Sequence, residues 1–188
     1  MYKVSLALAA GVLGLFLNST IAQEVDNPDF SKGKTGWMGD GKVVYFGSDG
    51  TISDTPSPGA APGLKIELSK NEWKEVHQTL RPKQKDTEIQ YSLQVMADPT
   101  FVRLPESKDY SDVDFREGGG YAWSALVYPK CDFLMRVHDD TWYYRPRSLT
   151  PLGTWKTFSE SFPKLKARQR EIALLFPPGE GTIYVKGK

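Results

Sequence analysis

Residues Thr87 to Ala97 read TEIQYSLQVMA. Ile89, Tyr91, Leu93 and Val95 fall on one side of an extended chain, and Gln90, Ser92, Gln94 and Met96 on the other. A period of two held this long is the pattern of a strand with one face buried and one face wet, as in an antiparallel sheet. The same rhythm recurs on both sides of it. Leu64 to Leu68 alternates cleanly, and Trp73 to Leu80 puts Val76 and Leu80 on one face. Val43 to Phe46 precedes them as a strand, after a short extended opening at Asn27-Pro28-Asp29-Phe30. Further strands are predicted over Tyr121 to Tyr128, Phe133 to His138, Trp142 to Arg145, Thr154 to Phe162, Glu171 to Phe176 and Thr182 to Lys186.

The separators are Gly, Pro, Asp and Asn, including the Pro-, Gly- and Ala-rich run from Ser53 to Pro62 and the Asp139-Asp140 turn. They mark surface loops and tight turns. No convincing amphipathic helix is found downstream of the N-terminal leader. About ten short strands with turns this frequent predict an all-β, antiparallel sandwich or barrel rather than alternating βαβ units.

The leader is residues 1–22. Lys3 supplies a positive start, Val4 to Leu17 is an apolar run, and Thr20 and Ala22 stand where a signal peptidase reads. This is the three-part pattern of a secretory signal cut after Ala22. The apolar run is too short for an ordinary membrane span. Residues 23–188 then form a single domain, exported to a periplasm or beyond the cell, with no membrane attachment other than the signal peptide. The chain has 24 Lys and Arg against 23 Asp and Glu, so losing Lys3 leaves it balanced. Such a balance gives no electrostatic case for nucleic acid. One cysteine, Cys131, cannot make an internal disulfide, so the core must carry the stability. Its strand-like setting points to a buried structural thiol.

The segment Gly118 to Arg147, GGGYAWSALVYPKCDFLMRVHDDTWYYRPR, concentrates the candidate ligand-binding groups. Phe133, Met135 and Val137 share one face of a strand, and Leu134, Arg136 and His138 the other. An arginine is hard to bury alone, so Arg136 marks either a solvated concave face or a buried ion pair. Tyr121 and Trp123 form a stacking platform or part of the core. Tyr143 with Arg145 is the more polar set of its strand, and Trp142 with Tyr144 the core set. Trp155, Phe158, Phe162 and Trp37 are assigned to the interior, and Trp73 to the interior or an edge. The charged excursion from Pro99 to Gly120 is a functional loop or a solvated one. Its carboxylates, Asp114 among them, do not follow the spacing of an EF-hand, because Arg116 stands where a ligand is needed. His138 beside Asp139 and Asp140 reads as solvated rather than as a metal ligand.

The chain also resembles a known family. Asn27-Pro28-Asp29-Phe30 with Gly36-Trp37, then Tyr91-Ser92-Leu93-Gln94-Val95-Met96-Ala97, then Gly153-Thr154-Trp155-Lys156-Thr157-Phe158, then Gly181-Thr182-Ile183-Tyr184-Val185, resemble in order the motifs of carbohydrate-binding modules of the CenC type, families 4, 9 and 16. The resemblance spans nearly all of residues 23–188. It implies a jelly-roll β-sandwich of the galactose-binding-domain-like kind. It also implies a poly- or oligosaccharide ligand. Related modules often hold a structural calcium near the first and last strands. Here Lys186-Gly187-Lys188 stands where the family commonly has a carboxylate, so no metal ligand and no cofactor is assigned.

A sugar offers apolar C–H faces edged by hydroxyls, which aromatic rings and Arg, Gln or Asp side chains can match. The expected contacts are Tyr121, Trp123, Arg136 and Tyr143, with Gln94 and Asp114. No catalytic motif is present: there is no HExxH, Gly-x-Ser-x-Gly, P-loop or paired-cysteine zinc site. Paired carboxylates need no sequence signature, so a small jelly-roll glycan hydrolase or lyase stays as the lesser alternative. A structural or protein-interaction sandwich of the cell envelope, with a protein partner, is the other.

Overall fold

The computed structural model describes residues 25–80, 87–103, 132–139, 141–165 and 170–187. Among them there is no helix. In chain order the strands are β1 (Met38–Gly39), β2 (Lys42–Phe46), β3 (Ile52–Ser53), β4 (Ala61–Glu67), β5 (Lys74–Leu80), β6 (Thr87–Ala97), β7 (Val102–Arg103), β8 (Phe133–Asp139), β9 (Thr141–Arg147), β10 (Lys156–Leu165), β11 (Arg170–Phe176), β12 (Gly179–Glu180) and β13 (Thr182–Gly187). A five-stranded sheet runs β1-β5-β11-β8-β9, and a six-stranded sheet runs β10-β6-β13-β4-β2-β3. β12 and β7 form a small ribbon, and the pairings along both sheets are antiparallel. The non-consecutive neighbours are the crossovers that fold two sheets into a sandwich.

The period-two strand β6 sits inside the six-stranded sheet, between β10 and β13. Ile89, Tyr91, Leu93, Val95 and Ala97 are buried, as the alternation requires. Facing them from the other sheet are Val76 and Leu80 of β5, Phe133, Met135 and Val137 of β8, and Ile172, Leu174 and Phe176 of β11. Phe133 and Phe176 stack at 5.9 Å, and Phe158 meets Phe133 edge-on at 5.1 Å. Each such side chain contributes about 1.5–3 kcal/mol when fully buried, which lets a core of this kind stand without a disulfide.

Two local expectations change. Asn27 to Phe30 is a turn, not an extended piece: Asn27 and Phe30 both have positive φ, of 47° and 57°. The Asn27 side chain shapes it, accepting from the Lys32 N–H at 3.0 Å and donating to the carbonyls of Gly33 and Thr35. This folding tucks Phe30 against Trp37, with ring centroids 5.6 Å apart, into the core. The second change is that β4 begins within the Pro- and Gly-rich run, at Ala61.

One buried amide ties the N-terminal segment to the sandwich. Gln78, on the inner side of β5, is 1% exposed. Its Oε1 accepts from the Asp26 N–H and its Nε2 donates to the Asp26 carbonyl, both at 2.9 Å. Both ends of the amide are satisfied, which is the condition for placing it there. Gly36 has φ of 84°, and a Cβ there would meet Gln78 Nε2 at 2.9 Å, so only glycine lets the chain pass.

Candidate functional site

The outer face of the five-stranded sheet carries the candidate site. Strand alternation puts Glu75, His77 and Thr79 of β5, Glu171, Ala173 and Leu175 of β11, and Leu134, Arg136 and His138 of β8 on the side away from the core. The register aligns them in cross-sheet rows. Met38, His77, Ala173, Arg136 and position 144 form one row; Glu75, Leu175, Leu134 and Pro146 form the next; Thr79, Glu171, His138 and position 142 form the third.

Arg136 is the centre of this lattice and is 3% exposed. Its Nη2 donates to Glu75 Oε1 at 2.8 Å and also to Glu171 Oε1. Ala173 stands beside Arg136 on the strand between it and β5. A larger residue there would stand in the way of the guanidinium. The charge-assisted bonds of Arg136 are roughly twice as strong as neutral ones, and they fix the carboxylates in place. His77 stands beside them, with Nδ1 3.2 Å from Glu75 Oε1 but without a hydrogen bond. The sequence left Arg136 open between a solvated face and a buried ion pair; it makes the ion pair.

Beside the charges lies a small apolar patch. Leu134, Ala173 and Leu175 are buried, with Trp73 packed against them. Glu75, His77, Glu171 and Trp73 each keep part of their surface exposed. The result is a ring surface and hydrogen-bonding groups around a locked guanidinium. Burial pushes the Glu75 carboxyl above its ordinary value, and nearby Glu171 adds to this. Arg136 and His77 oppose the shift without cancelling it.

Of the expected contacts, the described ones do not gather in one place. Tyr121, Trp123 and Asp114 lie outside the described residues. Gln94 is on the outer face of the other sheet, where its Nε2 donates to Thr157 Oγ1 at 3.3 Å. Tyr143 is paired with Val137, whose side chain is in the core, so position 143 falls on the inward side of β9. Arg145 and Arg147 share that side, across from Met135 and Phe133. Arg145, expected in a polar set, is therefore on the inward side of its strand. The reason is that β9 is the edge of its sheet. Its inward side meets the edge strand β10, where Glu160 pairs with Arg147 and lies 3.6 Å from Arg145. A charged seam can close a sandwich edge where water is near.

Trp73 joins the outer cluster, a position its sequence left open, while Trp37 is in the core as expected. Trp155 corrects the sequence reading: it is partly exposed, outside the core, with the Lys186 ammonium 4.2 Å from its ring centroid. The residues of this candidate face that pattern reading missed are Glu75, His77 and Glu171. Their only signal was a polar residue on the outer side of a strand, which ordinary solvent-facing residues share.

Among the described residues, no group of three or more His, Cys, Asp or Glu side chains could hold a metal ion. Near the first strands a lysine does work a cation could do. The Lys34 ammonium donates to the carbonyls of Gly39, Asp40 and Gly41, the last two at 3.3 Å. Asp40 in turn accepts from the Glu75 N–H at 2.8 Å, which couples this turn to the strand that carries the site.

The chain matches no family model and no curated protein sequence. Solved structures similar to it include carbohydrate-binding modules and a bacteriophage tailspike enzymatically active domain, the latter over 20% of that chain. TmCBM61, in complex with beta-1,4-galactotriose, superposes with a TM-score of 0.54 at 11% identity, over 86% of this chain and 92% of that one. The C-terminal family 22 module of Clostridium thermocellum Xyn10B gives 0.47 at 9% identity, over 85% and 88%. A CBM4 structure gives 0.47 at 13% identity, over 87% and 99%. The first establishes a shared jelly-roll sandwich fold.

Proposed function

We propose that the chain is a non-catalytic carbohydrate-binding module of the CenC type, exported through its leader, that holds a neutral oligo- or polysaccharide on the outer face of the five-stranded sheet. The observation that carries this reading is the Arg136 network. One buried guanidinium fixes Glu75 and Glu171, with His77 alongside and Trp73 nearby. Carboxylates held in place accept from sugar hydroxyls without first being ordered, which lowers the cost of binding, and the imidazole beside them offers a further polar group. Trp73 offers a ring surface for the C–H side of a sugar. Two carboxylates face one guanidinium here, so the described groups of this face carry an excess of negative charge, which disfavours acidic sugars. The sandwich shared with TmCBM61 supports the reading, and so does the ordered set of sequence motifs.

The test is retention of residues 23–188 on a panel of neutral glycans, comparing wild type with His77→Ala and Glu171→Ala. Retention that both variants lose supports the face. Retention unchanged in both removes it as the site.

One observation favours the hydrolase or lyase reading: two carboxylates flank a single guanidinium, and one of them, Glu75, is held above the usual carboxylate range. Assaying the same mixtures for released reducing ends or unsaturated products decides between the two.

A further inference from the structure

We propose that the opposite face of the sandwich carries a second site, which takes a carboxylate-bearing sugar residue on Trp155 and Lys186. It lies on the outer side of the six-stranded sheet, away from the Arg136 network, and its charge is of the other sign.

The face is built on a glycine. Val44, Gly63, Lys186, Gln94 and Thr157 form one row across five strands; Lys42, Lys65, Tyr184 and Met96 form the next. A Cβ at Gly63 would come within 2.6 Å of Phe46 Cε2 and 2.3 Å of the Val185 carbonyl oxygen. The missing side chain lets the Phe46 ring lie down over β4. There it meets Trp155 edge-on at 5.0 Å and Tyr184 at 5.9 Å. Three rings thus form a shelf on a face that simple alternation would leave polar. Phe46 is buried by this packing, while Trp155 and Tyr184 stay partly exposed.

Lys186 gives the shelf its charge. Its ammonium is 4.2 Å from the Trp155 centroid and 5.8 Å from that of Phe46. The other lysines of the face are neutralised: Lys42 pairs with Asp54 and Lys65 with Glu67. Among the described residues, no carboxylate lies within ion-pair distance of Lys186. A cation that meets ring quadrupoles, and no carboxylate among the described residues, has room for an anion. The rim completes the chemistry. Gln94 bonds Thr157, and Ser92 and Ser159 share a 2.8 Å hydrogen bond, so amide and hydroxyl groups line one side. A ring face, a cation and a hydroxyl-bonding rim together match a uronate, which has an apolar C–H face, a carboxylate and hydroxyls.

The experiment is calorimetric titration of residues 23–188 with trigalacturonate and with a glucuronate trisaccharide at low salt. Binding of either uronate by wild type, weakened at least tenfold in both Lys186→Gln and Trp155→Ala and unchanged in His77→Ala, is the expected result. Trp155→Phe should retain part of the affinity, which separates a ring surface from a mere fold requirement. Absence of uronate binding, or wild-type affinity retained in Lys186→Gln or in Trp155→Ala, overturns the proposal. Because neutral glycans are tested separately against His77→Ala, either site can fail while the other stands.

Discussion

Arg136 on β8 reaches past Ala173 on β11 to place Nη2 2.8 Å from Glu75 Oε1 on β5. Three strands are thereby cross-linked on the face opposite the core. Packing alone would not fix the rotamers of two long acidic side chains there. The ion pairs do, and with them the shape of the face.

Removing the guanidinium should be expensive. Arg136 is almost fully buried, and Arg136→Ala strands two carboxylates. Breaking a buried pair this way costs about 3–5 kcal/mol. Urea unfolding should show that loss. The triple variant Arg136→Met with Glu75→Gln and Glu171→Gln should recover most of it, because no charge is then left unpaired.

The network also makes stability depend on pH. Burial holds the folded-state Glu75 pKa above its unfolded value, so between those two values the folded protein binds more protons than the unfolded one. Glu75 therefore favours folding most in acid, and that contribution is lost as pH rises through its folded-state pKa. Carboxyl NMR should find Glu75 titrating above the ordinary glutamate range, and Arg136→Met should raise it further. In Glu75→Gln the matching slope of stability against pH should vanish.

At Gly63, an added methyl meets the Phe46 ring and the Val185 carbonyl. Gly63→Ala should cost about 1–3 kcal/mol, as overpacking does. It should also separate Phe46 from Trp155, changing the near-ultraviolet circular dichroism of the shelf.

Lys34→Met leaves the carbonyls of Gly39, Asp40 and Gly41 without their shared donor. The turn is partly solvated, so the expected loss is about 1 kcal/mol. Adding a chelator to wild type should not reproduce that loss, since an ammonium serves these three oxygens.

Much of the fold was legible because period two is a strong signal when one face is buried. β6, β5, β8 and β11 follow their apolar residues directly. Asn27 to Phe30 was not legible, because its turn depends on the Asn27 side chain bonding across the loop. Arg145 was not legible for a related reason: it stands in the more polar set of its strand, yet it turns inward to meet Glu160 at a sheet edge. The site was harder still. Arg136 stood out as a charge in an apolar run, yet its partners Glu75 and Glu171 lie 61 and 35 residues away in sequence. Nothing local in those strands says that one guanidinium joins them. Trp155 looked like core because aromatic residues in sandwiches usually are; the absent side chain at Gly63 is what opens a place for it outside.

The most direct test is retention of residues 23–188 on a panel of neutral soluble and insoluble polysaccharides, with the same mixtures assayed for released product. Retention on one glycan class, without product, and lost in His77→Ala and Glu171→Ala, is the predicted result. Failure to bind any neutral glycan, or release of product by the wild-type chain, would contradict it.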